Sequence, residues 1–198
     1  MKTIITRKEE LTTTSWSGGT TTQLAIHPPG SSLQERNFLF RISTAVVEAE
    51  TSAFTRLPGV HRVIMILEGT LELEHVGHYS KTLHKSETDS FPGNWETRSR
   101  GKVSDFNLMT TGRTNGEVEL IAISEGNKRT FKLGKDRNVA GIFVLNGELG
   151  FQRPSKYETI ERGDFITAFL EKNRESFSVR AVQECEFVLV SIELDPFQ

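Results

Sequence analysis

The sequence predicts a mainly β protein made of two tandem barrel-like units, and three observations carry that reading. One pattern occurs twice: Ile66-Leu-Glu-Gly69-Thr-Leu-Glu-Leu with Phe91-Pro-Gly93-Asn94, then Val144-Leu-Asn-Gly147-Glu-Leu-Gly-Phe with Gly163-Asp-Phe165. Each copy reads as an apolar strand, a glycine turn, an alternating strand and, about 20 residues on, a second glycine turn beside an aromatic. A length of 198 residues suits two fused units of about 90 to 100 residues. Finally, runs rich in β-branched and aromatic residues, bounded by Pro and Gly, leave little room for helix.

In chain order, Lys8-Glu-Glu-Leu11 is the only short helical piece expected near the start. Strands are predicted over 20–26, 38–47 and 62–67, separated by the turns His27-Pro-Pro-Gly30 and Leu57-Pro-Gly59. Further strands follow over 71–75, 104–109 and 118–123. The polar stretch Thr110-Thr-Gly-Arg-Thr-Asn-Gly-Glu117 places the division there, giving a first unit at 1–115 and a second at 116–198. In the second unit Arg153, Lys156 and Tyr157 read as solvated loop residues.

The composition excludes several classes. With 24 basic and 26 acidic residues and a formal charge of -2, no net field draws the chain to nucleic acid or an anionic membrane. Neither partner is expected. Cys185 is the single cysteine and lies in the apolar run Cys185-Glu-Phe-Val-Leu-Val-Ser-Ile192, which predicts a buried core thiol. Charges in Met1-Lys-Thr-Ile-Ile-Thr-Arg-Lys-Glu-Glu interrupt the apolar run of a secretory leader, so a cytoplasmic, soluble protein is expected.

Nucleotide and redox signatures are missing: no Gly-Lys-Ser or Gly-Lys-Thr loop, no Gly-X-Gly-X-X-Gly, no Gly-X-Ser-X-Gly, no Cys-X-X-Cys. Five histidines remain, at 27, 61, 75, 78 and 84. His75 and His78 flank an expected hairpin loop near Tyr79 and His84 and read as solvated loop residues rather than as a metal site. No cofactor and no metal are expected.

Polar residues gather in the first half at strand spacing. Side chains two apart share a face, so Thr21 with Gln23, Arg41 with Ser43, and Asp105 with Asn107 form three polar pairs. Their neighbours Leu24, Ile26, Phe40, Ile42, Phe106 and Leu108 face the other way. Such pairs either line a pocket for a small polar ligand or lie on a wet outer face, and alternation alone leaves both open.

The doubled pattern resembles the cupin barrel, whose first motif places two histidines and a glutamate ahead of the turn glycine. Counted back from Gly69, Arg62 stands at the glutamate position and Leu57 and Pro58 at that of the second histidine; counted back from Gly147, the position is Ala140. An arginine there suits an oxyanion through its planar donor fork; an ion-pairing structural arginine is the other reading. More specifically, Trp16-Ser-Gly-Gly-Thr-Thr-Thr-Gln-Leu-Ala-Ile26, Phe40-Arg-Ile-Ser-Thr-Ala45, Phe54-Thr-Arg-Leu-Pro-Gly-Val-His-Arg62, Leu67-Glu-Gly69 and Asp105-Phe-Asn-Leu-Met109 occur in the order of the HutD/Ves family. These blocks cover the first 110 residues densely.

The resemblance implies a bicupin without the usual metal set. It points to Trp16, Gln23, Arg41, Arg62, Asp105 and Asn107 as ligand-binding residues of the first barrel, with no catalytic residue assigned. It implies a small carboxylate ligand, such as urocanate or formylglutamate, and a role in modulating histidine utilisation or a stress response. Two departures, His61 and Asn94, stand where relatives often carry acidic residues. The alternative is a metal-free cupin enzyme, an isomerase or hydrolase of a small organic acid, with Asp105 or His61 as general base and Arg62 stabilising negative charge. A monomer is favoured over a homodimer, since a bicupin already holds paired halves.

Overall fold

The structure, a computed structural model, describes residues 1–133, 136–152, 157–170 and 176–194. Its strands, in chain order, begin with β1 (Lys2–Thr6), a 3-10 turn (Lys8–Glu10), β2 (Thr12–Trp16), β3 (Gly19–His27), β4 (Phe40–Val47) and β5 (Thr51–Ala53). They continue with β6 (Val60–Gly69), β7 (Leu71–His75), β8 (Tyr79–Leu83), β9 (Thr88–Pro92), β10 (Thr97–Arg100) and β11 (Val103–Thr111). The second half holds β12 (Asn115–Ile123), β13 (Lys128–Lys132), β14 (Val139–Asn146), β15 (Glu148–Gln152), β16 (Tyr157–Glu161), β17 (Phe165–Phe169), β18 (Ser176–Ala181) and β19 (Cys185–Glu193). Among the described residues no helix is long and apolar enough to cross a membrane.

One compact unit comprises residues 12–115, with a six-stranded sheet in the order β2-β3-β4-β11-β6-β9 and a four-stranded sheet in the order β5-β10-β7-β8. Its apolar core draws Ile64, Ile66, Phe91 and Val103 from the first sheet and Leu71, Leu73 and Leu83 from the second. The other unit comprises residues 116–194 together with 1–11. Its sheets run β1-β17-β14-β19-β12 and β13-β18-β15-β16. The first eleven residues therefore fold with the second half of the chain, where a division at 115 puts them with the first. The reason is pairing: β1 joins β17 antiparallel from Lys2↔Phe169 to Thr6↔Phe165, and Ile5 packs against the core of that unit. The Arg7 guanidinium then donates to the buried Asp164 carboxylate at 2.7 Å.

The doubled motif occupies matching places. Gly69 ends β6 at φ +88 and Gly147 follows β14 at φ +78, a backbone region that favours glycine. A Cβ at either would also meet a carbonyl oxygen, that of Lys102 at 2.5 Å or of Glu184 at 2.2 Å. Three residues before each glycine, Ile66 pairs with Asp105 and Val144 with Phe187. The interiors differ at that point. In the second unit Ala140, Ile142, Val144, Phe187 and Leu189 all join one apolar core, whereas the aligned positions of the first unit include Arg62, Asp105 and Asn107.

Cys185 is 1% exposed within that apolar core, and burial, with a smaller effect from Glu186, pushes its thiol up to about 12. Because the thiolate is the nucleophile, iodoacetamide at pH 8 is expected to leave the native protein unmodified and to label it once denaturant unfolds it. Mass spectrometry reads both states. Tyr157 is exposed at the start of β16, while Arg153 and Lys156 lie outside the described residues.

Candidate functional site

The six-stranded sheet of the 12–115 unit carries its polar residues on the inner face. Register makes this explicit. Gln23 and Asn107 both pair with Ser43, Thr21 and Asp105 both pair with Ala45, and Met109 pairs with Arg41 on one side and Arg62 on the other. Since alternate residues share a face, Arg41, Ser43, Arg62, Asp105 and Asn107 all project inward. All five are buried and line a cavity of about 310 Å³ together with Thr14, Thr21, Trp16 and Phe54. The opposite face of these strands, with Ile42, Phe106 and Leu108, is apolar and buried.

Each arginine is held by neutral partners. Arg41 donates from Nε to Gln23 Oε1 at 2.9 Å and from Nη1 to Ser43 Oγ at 3.1 Å. Arg62 donates from Nη2 to Asn107 Oδ1 at 3.1 Å, and the Asn107 amide donates in turn to Asp105 Oδ1. The Arg62 guanidinium lies 4.5 Å from the Phe54 ring centre and 5.7 Å from that of Phe91, a cation–π packing that supports its charge without neutralising it. Its Nε is buried without a hydrogen-bond partner. Among the described residues no carboxylate lies within ion-pairing distance of Arg41 or Arg62.

The electrostatics follow from burial. Desolvation lowers the Arg62 guanidinium to about 10; Asp105 opposes that shift and Arg41 adds to it. Desolvation also lowers Arg41. It raises Asp105 to about 7, against the pull of Arg62 and the Asn107 hydrogen bond. Two cations thus share one cavity with a single carboxyl that is half-neutralised near pH 7.

Of the residues singled out from sequence, Trp16, Arg41, Arg62, Asp105 and Asn107 line the cavity, and Gln23 does not. Gln23 pairs with Ser43 on the inward face and serves Arg41 as its hydrogen-bond partner. Trp16 is 40% exposed, its ring so close over Gly18 that a Cβ there would meet ring carbon Cζ3 at 2.1 Å. His61 does not line the cavity; its Nε2 lies 2.8 Å from Ser90 Oγ on the solvent side. Sequence reasoning missed the hydroxyls of Thr14, Ser52, Thr55 and Ser99 and the ring of Phe54, because neighbouring strands and the irregular segment after β5 bring them in and no short-range pattern marks them.

His75 requires a correction. It is not a solvated loop residue but the last residue of β7, 1% exposed. Its Nε2 lies 2.8 Å from Asp89 Oδ2 and its Nδ1 2.8 Å from Thr97 Oγ1. The signal was the strand period, which puts Leu71, Leu73 and His75 on one inward face. His78 is exposed and stacks on Trp95 at 3.7 Å, and His84 is exposed beside Thr70. Among the described residues no group of three or more His, Cys, Asp or Glu side chains could share a metal ion.

Two tandem β-barrels, one with a polar interior cavity and one filled by apolar side chains, define a two-barrel protein of the cupin fold. The bacterial pirin YhhW of Escherichia coli, solved in complex with nickel(II), shares this fold at a TM-score of 0.69 and 13% identity, covering 96% of this chain and 98% of that one. The chain belongs to the HutD family, whose model matches residues 8–188. HutD of Pseudomonas fluorescens SBW25 superposes at a TM-score of 0.74 with 18% identity, covering 98% of this chain and 100% of that one. Protein Ves of Escherichia fergusonii is 32% identical over 134 residues, 65% of this chain. The chain matches 64% of that relative's length.

Proposed function

We propose that this protein is a metal-independent binding protein for a small carboxylate, captured in the cavity of the 12–115 unit. One observation carries the reading: Arg41 and Arg62 are both buried on the cavity wall with neutral hydrogen-bond partners, and only Asp105 offers opposite charge. Burying uncompensated charge is costly, and an anion entering between the guanidiniums removes that cost. Metal independence rests on donor chemistry. Arg62 occupies the place of a metal-binding glutamate in the cupin pattern, and a guanidinium has no acceptor to give. The volume, about that of ten water molecules in the liquid, suits an acid of about four to six carbons; urocanate and formylglutamate are candidates by family. Modulation of histidine utilisation or of a stress response is the corresponding cellular role.

The test is thermal unfolding with and without chelator against a panel of small carboxylates that includes both acids, since ligand binding to the native state raises its apparent stability. The expected result is an acid-specific rise that survives chelator and disappears in Arg62→Ala. A fall in stability on chelation, or no rise with any acid, contradicts the proposal. Arg41 has a smaller, separable effect: Gln23→Ala removes a charge-assisted hydrogen bond that orients Arg41 without touching the ligand, and is expected to weaken acid binding only severalfold.

A second reading draws on Asp105, whose value of about 7 is that of a general base working near neutrality. In it the protein is a metal-free isomerase or hydrolase, Asp105 takes a proton from the bound acid, and Arg62 stabilises the resulting negative charge. Proton NMR of the acid during prolonged incubation separates the two, because a binding protein leaves its spectrum unchanged.

A further inference from the structure

We propose that the acid held in this cavity is a hydroxylated one, of the sugar-acid or polyhydroxy-acid class, with Asp105 as the residue that selects for its hydroxyl groups. The proposal rests on the carboxylate reading and asks what a carboxylate pocket does with a carboxylate of its own. One Asp105 oxygen takes the Asn107 amide; no hydrogen bond from a described residue reaches the other, and the side chain lines the cavity. An ionised carboxylate only accepts hydrogen bonds, so a plain alkanoate serves it with nothing and repels it. A hydroxyl a few bonds from the ligand's own carboxylate serves it directly.

The remaining walls fit the same class. Ser43 accepts from Arg41, which leaves its own proton to donate. Ser52 and Ser99 face each other at 2.8 Å, and Ser99 Oγ also donates to the Ser52 carbonyl at 3.5 Å, so this pair offers hydroxyl oxygens that accept from a ligand hydroxyl. Thr21 adds a further hydroxyl to the lining. Hydroxyls both donate and accept, which matches a polyol's alternating needs better than it matches a hydrocarbon chain. A site of this kind rejects the analogue that lacks the hydroxyls, because its buried polar groups are then left unpaired.

Calorimetric titration at pH 8 with D-gluconate, hexanoate and sorbitol tests this on the full chain and on Asp105→Ala, with Asp105→Asn as a shape-preserving second variant and circular dichroism to verify folding. Gluconate is expected to bind at least about tenfold more tightly than hexanoate, and sorbitol not to bind. In Asp105→Ala the preference collapses to within about threefold while hexanoate binds more tightly than to the native protein, because the repelling anion is gone; Asp105→Asn falls between. A merely structural role for Asp105 would weaken both acids together. Equal binding of gluconate and hexanoate by the native protein overturns the hydroxy-acid class and leaves the carboxylate reading standing. Sorbitol binding as tightly as gluconate, or no binding of gluconate, overturns the hydroxy-acid class, while the carboxylate reading falls only if the thermal panel with urocanate and formylglutamate is also blank.

Discussion

Asp105→Asn is expected to make the empty protein more stable at pH 8 by about 4 kcal/mol and to remove a fall in stability between about pH 4 and pH 7. Burial raises the Asp105 carboxyl from 3.8 to about 7 in the folded chain. Between those values the native state holds a proton that the unfolded state has released. Stability therefore declines as pH rises through this window, and above pH 7 the full cost of an ionised, buried carboxylate is present. Asparagine keeps the shape and an acceptor for the Asn107 amide and carries no charge. Urea unfolding of both proteins at pH 4 and pH 8 reads the effect: the two curves should lie close together at the lower pH and separate at the higher. A native protein equally stable at both values would mean that Asp105 is better compensated than its neighbours Arg62 and Asn107 allow.

Arg62→Met is expected to separate binding from stability. Loss of a charge-assisted contact worth about 1.5–3 kcal/mol weakens small-acid binding by roughly 10- to 150-fold. The empty protein should be as stable as the native one or more so. The guanidinium is buried, its Nε is unpartnered and desolvation already lowers its affinity for a proton, so removing the charge relieves a desolvation cost that offsets the lost attraction to Asp105. Methionine also packs well against Phe54 and Phe91. Loss of stability in Arg62→Met with acid binding intact would make Arg62 a structural residue.

Much of the fold and of the cavity wall is legible in the sequence. The glycine turns at Gly69 and Gly147 mark equivalent strand ends, and counting seven residues back reaches Arg62 in one barrel and Ala140 in the other. That contrast between a cavity wall and an apolar core is real in the structure. Period-2 alternation paired Arg41 with Ser43 and Asp105 with Asn107 correctly but could not say which face was inward, since both faces of this sheet are buried. Cross-strand register settled it. Gln23 keeps the alternation with Thr21 and pairs with Ser43, but its amide oxygen is taken by Arg41 Nε, a cross-strand contact that no local pattern in the sequence marks. His75 was misread because a histidine beside a turn looks solvated, although Leu71 and Leu73 already fixed its face. The partnership of β1 with β17, more than 150 residues away, has no local signature at all; long-range strand pairing depends on which edge is left open.

The central claim is that Arg41 and Arg62 together hold a ligand carboxylate inside the first barrel. A crystal structure of the protein soaked with whichever acid gives the largest thermal rise tests it most directly. The account predicts the carboxylate inside the cavity, each of its oxygens within about 3 Å of an Arg41 or Arg62 nitrogen, with Phe54 and Trp16 flanking it. The same acid found on the outer surface, or a cavity that holds it with the carboxylate turned away from both guanidiniums, would contradict the claim.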